Sequence, residues 1–150
     1  MMTVEATAKR FYDAFSRRDG KAMAECYTTD AVFSDPVFPE LHGPEIGKMW
    51  QALCGRSKDI QVSYKLTRTD THSAWVHWDA RYTFSGTGRK VHNHIDAVLT
   101  IRDGKISRHV DNFSFWNWSR QALGAPGWLL GWTPLLQNKV RKNAAKLLKT

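Results

Sequence analysis

An Asp-Gly pair between two alternating apolar runs is the feature that most constrains the fold of this chain. Asp103 and Gly104 both tolerate the positive φ of a type I′ turn, so the flanking residues are predicted to pair as an antiparallel hairpin. Because side chains alternate along a strand, the register counted outward from this turn decides which residues share a face.

That register predicts a pair of facing carboxyl groups. Asp96 is expected to lie opposite Asp111, with Cβ atoms about 4.5–5.5 Å apart, where like charges repel. On a partly buried face one acid should keep its proton near neutral pH, which places a proton donor beside an acceptor. The alternative interpretation is that this face of the hairpin is exposed to solvent and that long neighbouring side chains weaken the repulsion between the two carboxylates. Neighbouring pairs put four more residues on this face: His94, Val98, His109 and Phe113.

Composition indicates one globular domain and argues against a nucleic-acid groove. The 150 residues are 42% hydrophobic and include seven Trp and seven Phe, enough for a sizeable core. The net charge is +8, but five of these charges lie in the last helix and leave +3 on the body. No Lys or Arg interleaves with the strand aromatics as a nucleic-acid groove requires. Without a signal-peptide pattern or paired-cysteine motif, Cys26 and Cys54 are expected to be reduced thiols in a cytoplasmic protein.

The order of the predicted elements is typical of an α+β fold. Helical spacing predicts a first helix from Thr3 to about Ser16, a short second helix after Asp19-Gly20, and a third opened by Pro44. A short strand precedes Asp35, which the following proline holds in extended geometry. Long alternating strands then run to about residue 116, so helices are expected to cover one face of a curved antiparallel sheet. A short helix and a basic amphipathic helix from Thr133-Pro134 make a C-terminal extension, residues 117–150, packed on the domain of residues 1–116 or on a dimer mate.

At this point the chain resembles the ketosteroid isomerase and SnoaL-like group of the NTF2-like superfamily. The segment from Ala31 through Asp35-Pro-Val is similar to the isomerase motif whose Asp is the general base. Ile95-Asp96 is similar to the motif whose protonated Asp donates to an oxyanion. His109-Val-Asp111 looks like the acid/base position of SnoaL-type cyclases. The resemblance implies a cone-shaped sheet, or α+β barrel, around a deep apolar pocket, and a homodimer.

One family position departs from the pattern. The tyrosine that serves as the second oxyanion donor in the isomerases is matched here by Phe11, and Tyr12 lies about 100° round the helix. The resemblance assigns catalysis to Asp35, Asp96 and Asp111. His109, on the same face, is a further catalytic candidate that would orient a carboxylate or shuttle a proton, and a hydrogen-bonded strand histidine is the alternative. The implied pocket would be lined by Phe11, Phe15, Trp50, Tyr64, His94, Val98 and Phe113.

Two functions are predicted from these residues. The first is a proton-transfer isomerase or cyclase that acts without a cofactor or metal on a small apolar carbonyl compound; epoxide hydrolysis is less favoured because Arg108 points away from Asp111. The second is a non-catalytic binding or scaffolding dimer whose basic helix contacts a partner or an anionic membrane. A zinc or iron site of His92, His94 and His109 is considered and not favoured, since no ligand-spacing motif supports it.

Overall fold

A computed structural model describes residues 2–148 as six helices and one six-stranded sheet. The helices are α1 (Val4–Ser16), α2 (Gly20–Ala24), α3 (Pro44–Arg56), α4 (Phe115–Ala122), α5 (Ala125–Leu130) and α6 (Pro134–Leu147). The strands are β1 (Tyr27–Ser34), β2 (Leu41–His42), β3 (Gln61–Thr69), β4 (Ser73–Thr83), β5 (Lys90–Arg102) and β6 (Lys105–Asn112). Within residues 2–148, no helix has the length and apolar character needed to cross a bilayer.

The sheet confirms the α+β prediction and corrects its strand directions. Its order is β2-β1-β6-β5-β4-β3, so it is curved but does not close into a barrel. Most neighbours are antiparallel, but β1 runs parallel to β6, which makes the sheet mixed. The last strand is also shorter than predicted: β6 ends at Asn112, and Ser114 caps α4 by accepting a hydrogen bond from the Asn117 N–H at 3.1 Å.

Side-chain caps start several helices at the predicted places. The Thr3 hydroxyl accepts from the Ala6 N–H at 3.0 Å, and Asp19 accepts from the Ala22 N–H at 3.0 Å. Each contact satisfies one of the backbone donors that a helix leaves unpaired at its first turn. The apolar stripe of α1 then packs fully buried against the inner face of the sheet through Phe11 and Phe15.

The hairpin at the centre of the sheet contains a bulge that the sequence analysis did not predict. Asp103 and Gly104 have φ values of 53° and 75°, as expected for the turn, and Ile101 pairs with Ile106. Beyond that pair, Thr100 lies opposite Arg108, so Ser107 is one extra residue in β6. The Ser107 hydroxyl donates to the Thr100 carbonyl at 3.2 Å. Such an extra residue exchanges the faces of all following residues relative to the partner strand.

Candidate active site

An apolar cavity of about 510 Å³ lies on the inner face of the sheet, between the strands and helices α3, α4 and α6. This volume is in the range of pockets that hold a drug-sized molecule. Hydrophobic and aromatic side chains make up most of its wall, and they include Trp50, Leu53, Ile60, Ile95, Phe113 and Val140. A few polar groups interrupt that wall, among them Asp35, Tyr82, Asn93 and Asp111. An apolar pocket with a few converging polar groups is the arrangement expected of a ligand site.

Asp35 lies at the point where β1 ends. Pro36 prevents the strand from continuing, and the turn lets one carboxylate oxygen, Oδ1, accept the N–H groups of Val37 at 2.7 Å and Phe38 at 2.6 Å. Desolvation nonetheless raises the pKa of Asp35 to about 7; the nearby Asp111 carboxyl acts in the same direction, while the two backbone hydrogen bonds and Arg141 oppose it. A carboxyl group with this pKa exchanges its proton readily at neutral pH.

Asp111 terminates a series of buried hydrogen bonds that joins the cavity wall to the core behind it. The Trp50 indole N–H donates to the Tyr27 hydroxyl at 2.9 Å, and this oxygen lies 2.7 Å from Nδ1 of His109. Nε2 of His109 lies 2.8 Å from Oδ1 of Asp111, which also accepts from the Trp78 indole at 3.3 Å. His109 and Asp111 are 0% and 2% exposed, so both belong to the interior.

The direction of this series of hydrogen bonds assigns the tautomer of the histidine. An indole N–H can only donate, so the hydroxyl of Tyr27 accepts from Trp50 and is free to donate its own proton to Nδ1 of His109. Nε2 then carries the imidazole proton and donates it to Asp111. With this tautomer, every donor in the series of hydrogen bonds from Trp50 to Asp111 has an acceptor, and Oδ1 of Asp111 receives two hydrogen bonds.

The parallel pairing of β1 with β6 brings the two carboxyl groups together. Phe33 lies opposite His109 and Ser34 opposite Val110, so the next residues, Asp35 and Asp111, fall beside each other at the end of the ladder. Both contribute to the wall of the same cavity. The carboxyl pair therefore exists, but its members are Asp35 and Asp111 rather than Asp96 and Asp111.

Two neutral donors of the wall, Tyr82 and Asn93, lie on the neighbouring strands β4 and β5. The hydroxyl of Tyr82 accepts from the Trp118 indole at 2.8 Å, so its own proton is free to point at a ligand. Burial raises the pKa of Tyr82, which keeps the phenol protonated at neutral pH. Asn93, on the neighbouring strand β5, is 8% exposed and lines the cavity with its amide. These groups can donate to an oxygen that gains negative charge.

The predicted positions of Asp96, His94 and Val98 are wrong because of the bulge at Ser107. Residues of β5 alternate between buried and accessible, and these three belong to the accessible set on the outer face. Asp96 lies opposite Asn112, with its side chain 81% exposed, and hydrogen-bonds His77 at 2.9 Å. None of the three lines the cavity.

The remaining predicted pocket residues divide into wall and core. Trp50 and Phe113 line the cavity. Phe11 and Phe15 do not, because they are fully buried behind the wall, with ring centroids 5.7 and 5.1 Å from Trp50. Tyr64 also lies outside the lining; its ring stacks on Tyr12 at 5.1 Å.

Sequence reasoning missed three polar residues of the site: Tyr27, Tyr82 and Asn93. For Tyr82 a signal was available, because it alternates with polar residues along β4, as Trp78 does, and so belongs to its inner face. Asn93 occupies an inward position in the alternation of β5, where a polar residue among apolar ones is informative. Tyr27 had no comparable signal.

Within residues 2–148, the one His and Asp grouping compact enough to share a metal ion lies on the outer face: His77, Asp79 and His94. The set of His92, His94 and His109, which the sequence analysis considered and did not favour, does not come together, since His109 is buried on the inner face and the other two lie outside. The cavity itself therefore presents carboxyl, phenol and amide groups.

Comparison with known proteins agrees with this fold. The SnoaL-like domain model matches residues 8–109, and the chain belongs to the SnoaL-like family. No curated protein sequence matches. Among solved structures, a protein from Catenulispora acidiphila with a ketosteroid isomerase-like fold, in complex with trimethylamine, has a TM-score of 0.70 at 16% identity, covering 88% of this chain and all of its own.

Two further structures are similar. A presumed polyketide cyclase from Xanthomonas campestris has a TM-score of 0.69 at 19% identity, covering 79% of this chain and 95% of that one. An LEH-like epoxide hydrolase from M. tuberculosis has a TM-score of 0.62 at 17% identity, covering 82% and 90%. At these identities the likeness establishes the fold, which is one that holds small molecules, and leaves the reaction to be argued from the site.

Proposed function

We propose that this protein catalyses proton transfer on a small apolar carbonyl compound, as an isomerase or cyclase. The observation that supports this best is the pair of carboxyl groups, Asp35 and Asp111, side by side in the wall of an apolar cavity. Like charges at close range in a desolvated site favour one protonated and one ionised group. No cofactor is part of the proposal.

Asp35 is the base in this scheme. Its ionised form removes a proton from the carbon beside the carbonyl, and the C–H electron pair becomes the enolate. Tyr82 and Asn93 donate hydrogen bonds to the enolate oxygen, the role that the family tyrosine would have at Phe11. Asp35 then returns the proton to another carbon, which gives an isomer. Alternatively, the enolate carbon attacks a second carbonyl of the same molecule and closes a ring, and the alkoxide formed at that carbonyl takes the proton back from Asp35.

Asp111 keeps its charge throughout this scheme. The hydrogen bonds from His109 and Trp78 hold its carboxylate in place, and its negative charge contributes to the raised pKa of the base. Epoxide hydrolysis of the kind considered above needs an arginine between two carboxylates; Arg108 is exposed on the outer side of β6, away from Asp111.

Exchange of α-protons tests the proposal without knowledge of the natural substrate. The bicyclic ketone 2-tetralone is incubated with the protein in D2O, and loss of its α-proton signals is followed by ¹H NMR. The protein should accelerate the exchange, with a rate that rises as Asp35 ionises around pH 7. Asp35→Asn should lower the acceleration by at least ~10²-fold.

Asp30→Asn is the matched control for this experiment. Asp30 lies on the same strand, β1, but its side chain is exposed and pairs with Arg102. The control should exchange at the wild-type rate. Equal rates for wild type and Asp35→Asn, or no acceleration by the wild type, would contradict the assignment.

A second candidate function is favoured by the surface at the C-terminal end: attachment to an anionic membrane. Residues 113–150 contain no Asp or Glu. On α6 the exposed residues Lys139, Lys142 and Lys146 share one helical face with Leu135, because they follow it at spacings of 4, 7 and 11. An exposed apolar group comes just before α6 in the sequence: Trp128, Leu129, Leu130 and Trp132.

These residues have the chemistry of an interfacial membrane site. Trp132 is 70% and Leu135 79% exposed, which is costly unless a partner covers them. Apolar side chains that enter the headgroup region, beside lysines that pair with anionic lipids, are typical of membrane-surface helices. The opposite side of α6 lines the cavity through Val140 and Ala144, so an apolar ligand could pass from the lipid to the site.

Vesicle sedimentation tests the membrane attachment. The full chain should sediment with phosphatidylcholine vesicles that contain 30% phosphatidylglycerol, and not with pure phosphatidylcholine vesicles. Replacing Lys139, Lys142 and Lys146 together by Glu should abolish sedimentation. The same change at Lys9, Lys48 and Lys58, on the body of the protein, should leave it intact. Equal loss in both variants, or binding unchanged by 0.5 M salt, would contradict the electrostatic contact.

A further inference from the structure

A ladder of histidine and carboxylate side chains covers the outer face of β4 and β5, on the side of the sheet away from the cavity. The antiparallel register places Asp79 opposite His94 and His77 opposite Asp96. All four side chains are accessible to solvent. The proposed proton transfer uses none of them, so their function is a separate question.

Three of these side chains converge on one point. The ligand atoms of His77, Asp79 and His94 all lie within 4.8 Å of one another. Oδ1 of Asp79 is hydrogen-bonded to Nδ1 of His94 and lies 3.7 Å from Nε2 of His77. Zinc–ligand distances of about 2.0–2.2 Å require ligand atoms about 3.3 Å apart in a tetrahedral site.

Asp96 orients one of the imidazoles for metal binding. Its Oδ1 lies 2.9 Å from Nδ1 of His77, so Nδ1 donates a proton to the carboxylate and Nε2 is left as the acceptor. That free nitrogen is the one that faces Asp79. A carboxylate that holds the far nitrogen of a ligating histidine is the usual support of zinc-bound imidazole, because it fixes both the tautomer and the ring orientation.

A fourth nitrogen lies at the edge of the group. Nε2 of His92 is 3.7 Å from Oδ1 of Asp79, and its ring centroid is 4.4 Å from that of His94. Two cations border the group, since Arg81 lies opposite His92 and Lys65 opposite His77.

We propose that His77, Asp79 and His94 bind a zinc ion on the outer face of the sheet, with Asp96 as the positioning residue for His77. Two imidazoles and one carboxylate are a donor set that suits zinc rather than magnesium or calcium, which prefer oxygen ligands throughout. The three side chains leave one coordination position, which His92 or water completes. This inference is independent of the proposed enzymatic function, because the cavity lies on the other face.

Calorimetric titration with zinc sulfate tests the site. Tag-free full-length protein at pH 7.5 should bind one zinc ion per chain. Asp79→Asn and His94→Ala should each weaken the affinity at least tenfold, whereas His72→Ala, at an exposed histidine in the β3–β4 turn, should match the wild type. Wild-type affinity in both site variants, or no zinc uptake by the wild type, would overturn the proposal.

Two spectroscopic measurements on the wild-type protein make the result independent of variant folding. Cobalt(II) at this site should give the intense visible absorption of four-coordinate geometry, and zinc should remove it. Imidazole ¹⁵N spectra should show zinc-dependent shifts for His77 and His94 and none for the buried His109. Shifts confined to other histidines would reject the assignment. Asp96→Asn should keep one zinc per chain but bind it more weakly, because only the support of His77 is lost.

Discussion

The raised pKa of Asp35 makes a sharp prediction about how stability depends on pH. The group titrates at about 7 in the folded chain and at an ordinary value of 3.8 when unfolded. Between these values the folded state binds more protons at Asp35 than the unfolded state does, so the contribution of Asp35 to stability is greatest below about pH 4 and is lost as pH rises towards 7. Replacing Asp35 by Asn removes the decrease in stability that the ionisation of Asp35 causes.

The magnitude follows from the separation of the two pKa values. About three pH units at about 1.4 kcal/mol each give a total of about 4 kcal/mol, of which about 2.5 kcal/mol falls between pH 5 and pH 8. Wild-type stability should therefore decline relative to Asp35→Asn by that amount over this interval. Comparing the two proteins at each pH cancels the contributions of the titrating groups that do not interact with Asp35.

Urea unfolding at pH 5 and pH 8, followed by tryptophan fluorescence, measures this difference. Asp30→Asn is the control, because hydrogen bonds from Thr28 and Arg102 lower the pKa of Asp30 and neither state titrates between pH 5 and 8. Its stability relative to wild type should be the same at both pH values. A difference between wild type and Asp35→Asn that is constant, or that grows in favour of wild type at high pH, would refute a protonated Asp35.

Three further predictions concern stability and titration. Tyr27→Phe removes the hydroxyl that joins an indole and an imidazole, leaves both buried groups unpaired and should lower the free energy of unfolding by about 1–3 kcal/mol; a loss below the error of urea titration would contradict the chain of hydrogen bonds. Gly127→Ala places a Cβ 2.0 Å from a backbone oxygen of α4 and should lower the melting temperature. Gly55→Ala, with open space around it, should not. Similar melting temperatures for the two variants would contradict the close approach of α5 to α4. Arg141→Met removes a cation that lowers the pKa of Asp35, so ¹³C NMR of the carboxyl should titrate at higher pH than in wild type; a shift to lower pH would rule out the contact.

Most of the fold could be predicted from the sequence because its signals are local. Helical spacing, caps such as Thr3, and the Asp103-Gly104 turn each involve residues within a few positions of one another. The parallel pairing of β1 with β6 joins segments about 75 residues apart in sequence, and no local pattern indicates it. This is why Asp35 and Asp111 were each selected but were not predicted to be neighbours.

The error at Asp96 has a definite physical source. The turn fixes the register only as far as the next irregularity, and Ser107 interrupts it after two pairs. The alternation of β5 itself, with Ile95, Ala97 and Leu99 as its apolar positions, already indicated that Asp96 faces outward. Giving that alternation more weight than the turn would have corrected the face of the strand.

Membership of a homodimer, the division at residue 116 and a cytoplasmic location stay predictions, and the first can be measured by sedimentation equilibrium. A dimer formed through the outer face of the sheet would bring the proposed zinc sites of its two subunits together. The stability of that dimer would then depend on zinc, and removing zinc with a chelator tests this directly.

The single additional residue at position 107 has a consequence for comparing relatives. Side chains of the final strand alternate between the cavity and the solvent. Whether a family member carries an insertion at this point decides which alternate set faces the ligand. Two sequences that differ by one residue between the turn and the carboxylate would present opposite side chains to their cavities while retaining the same architecture. Transfer of a catalytic assignment from one member to another should therefore begin by locating this irregularity.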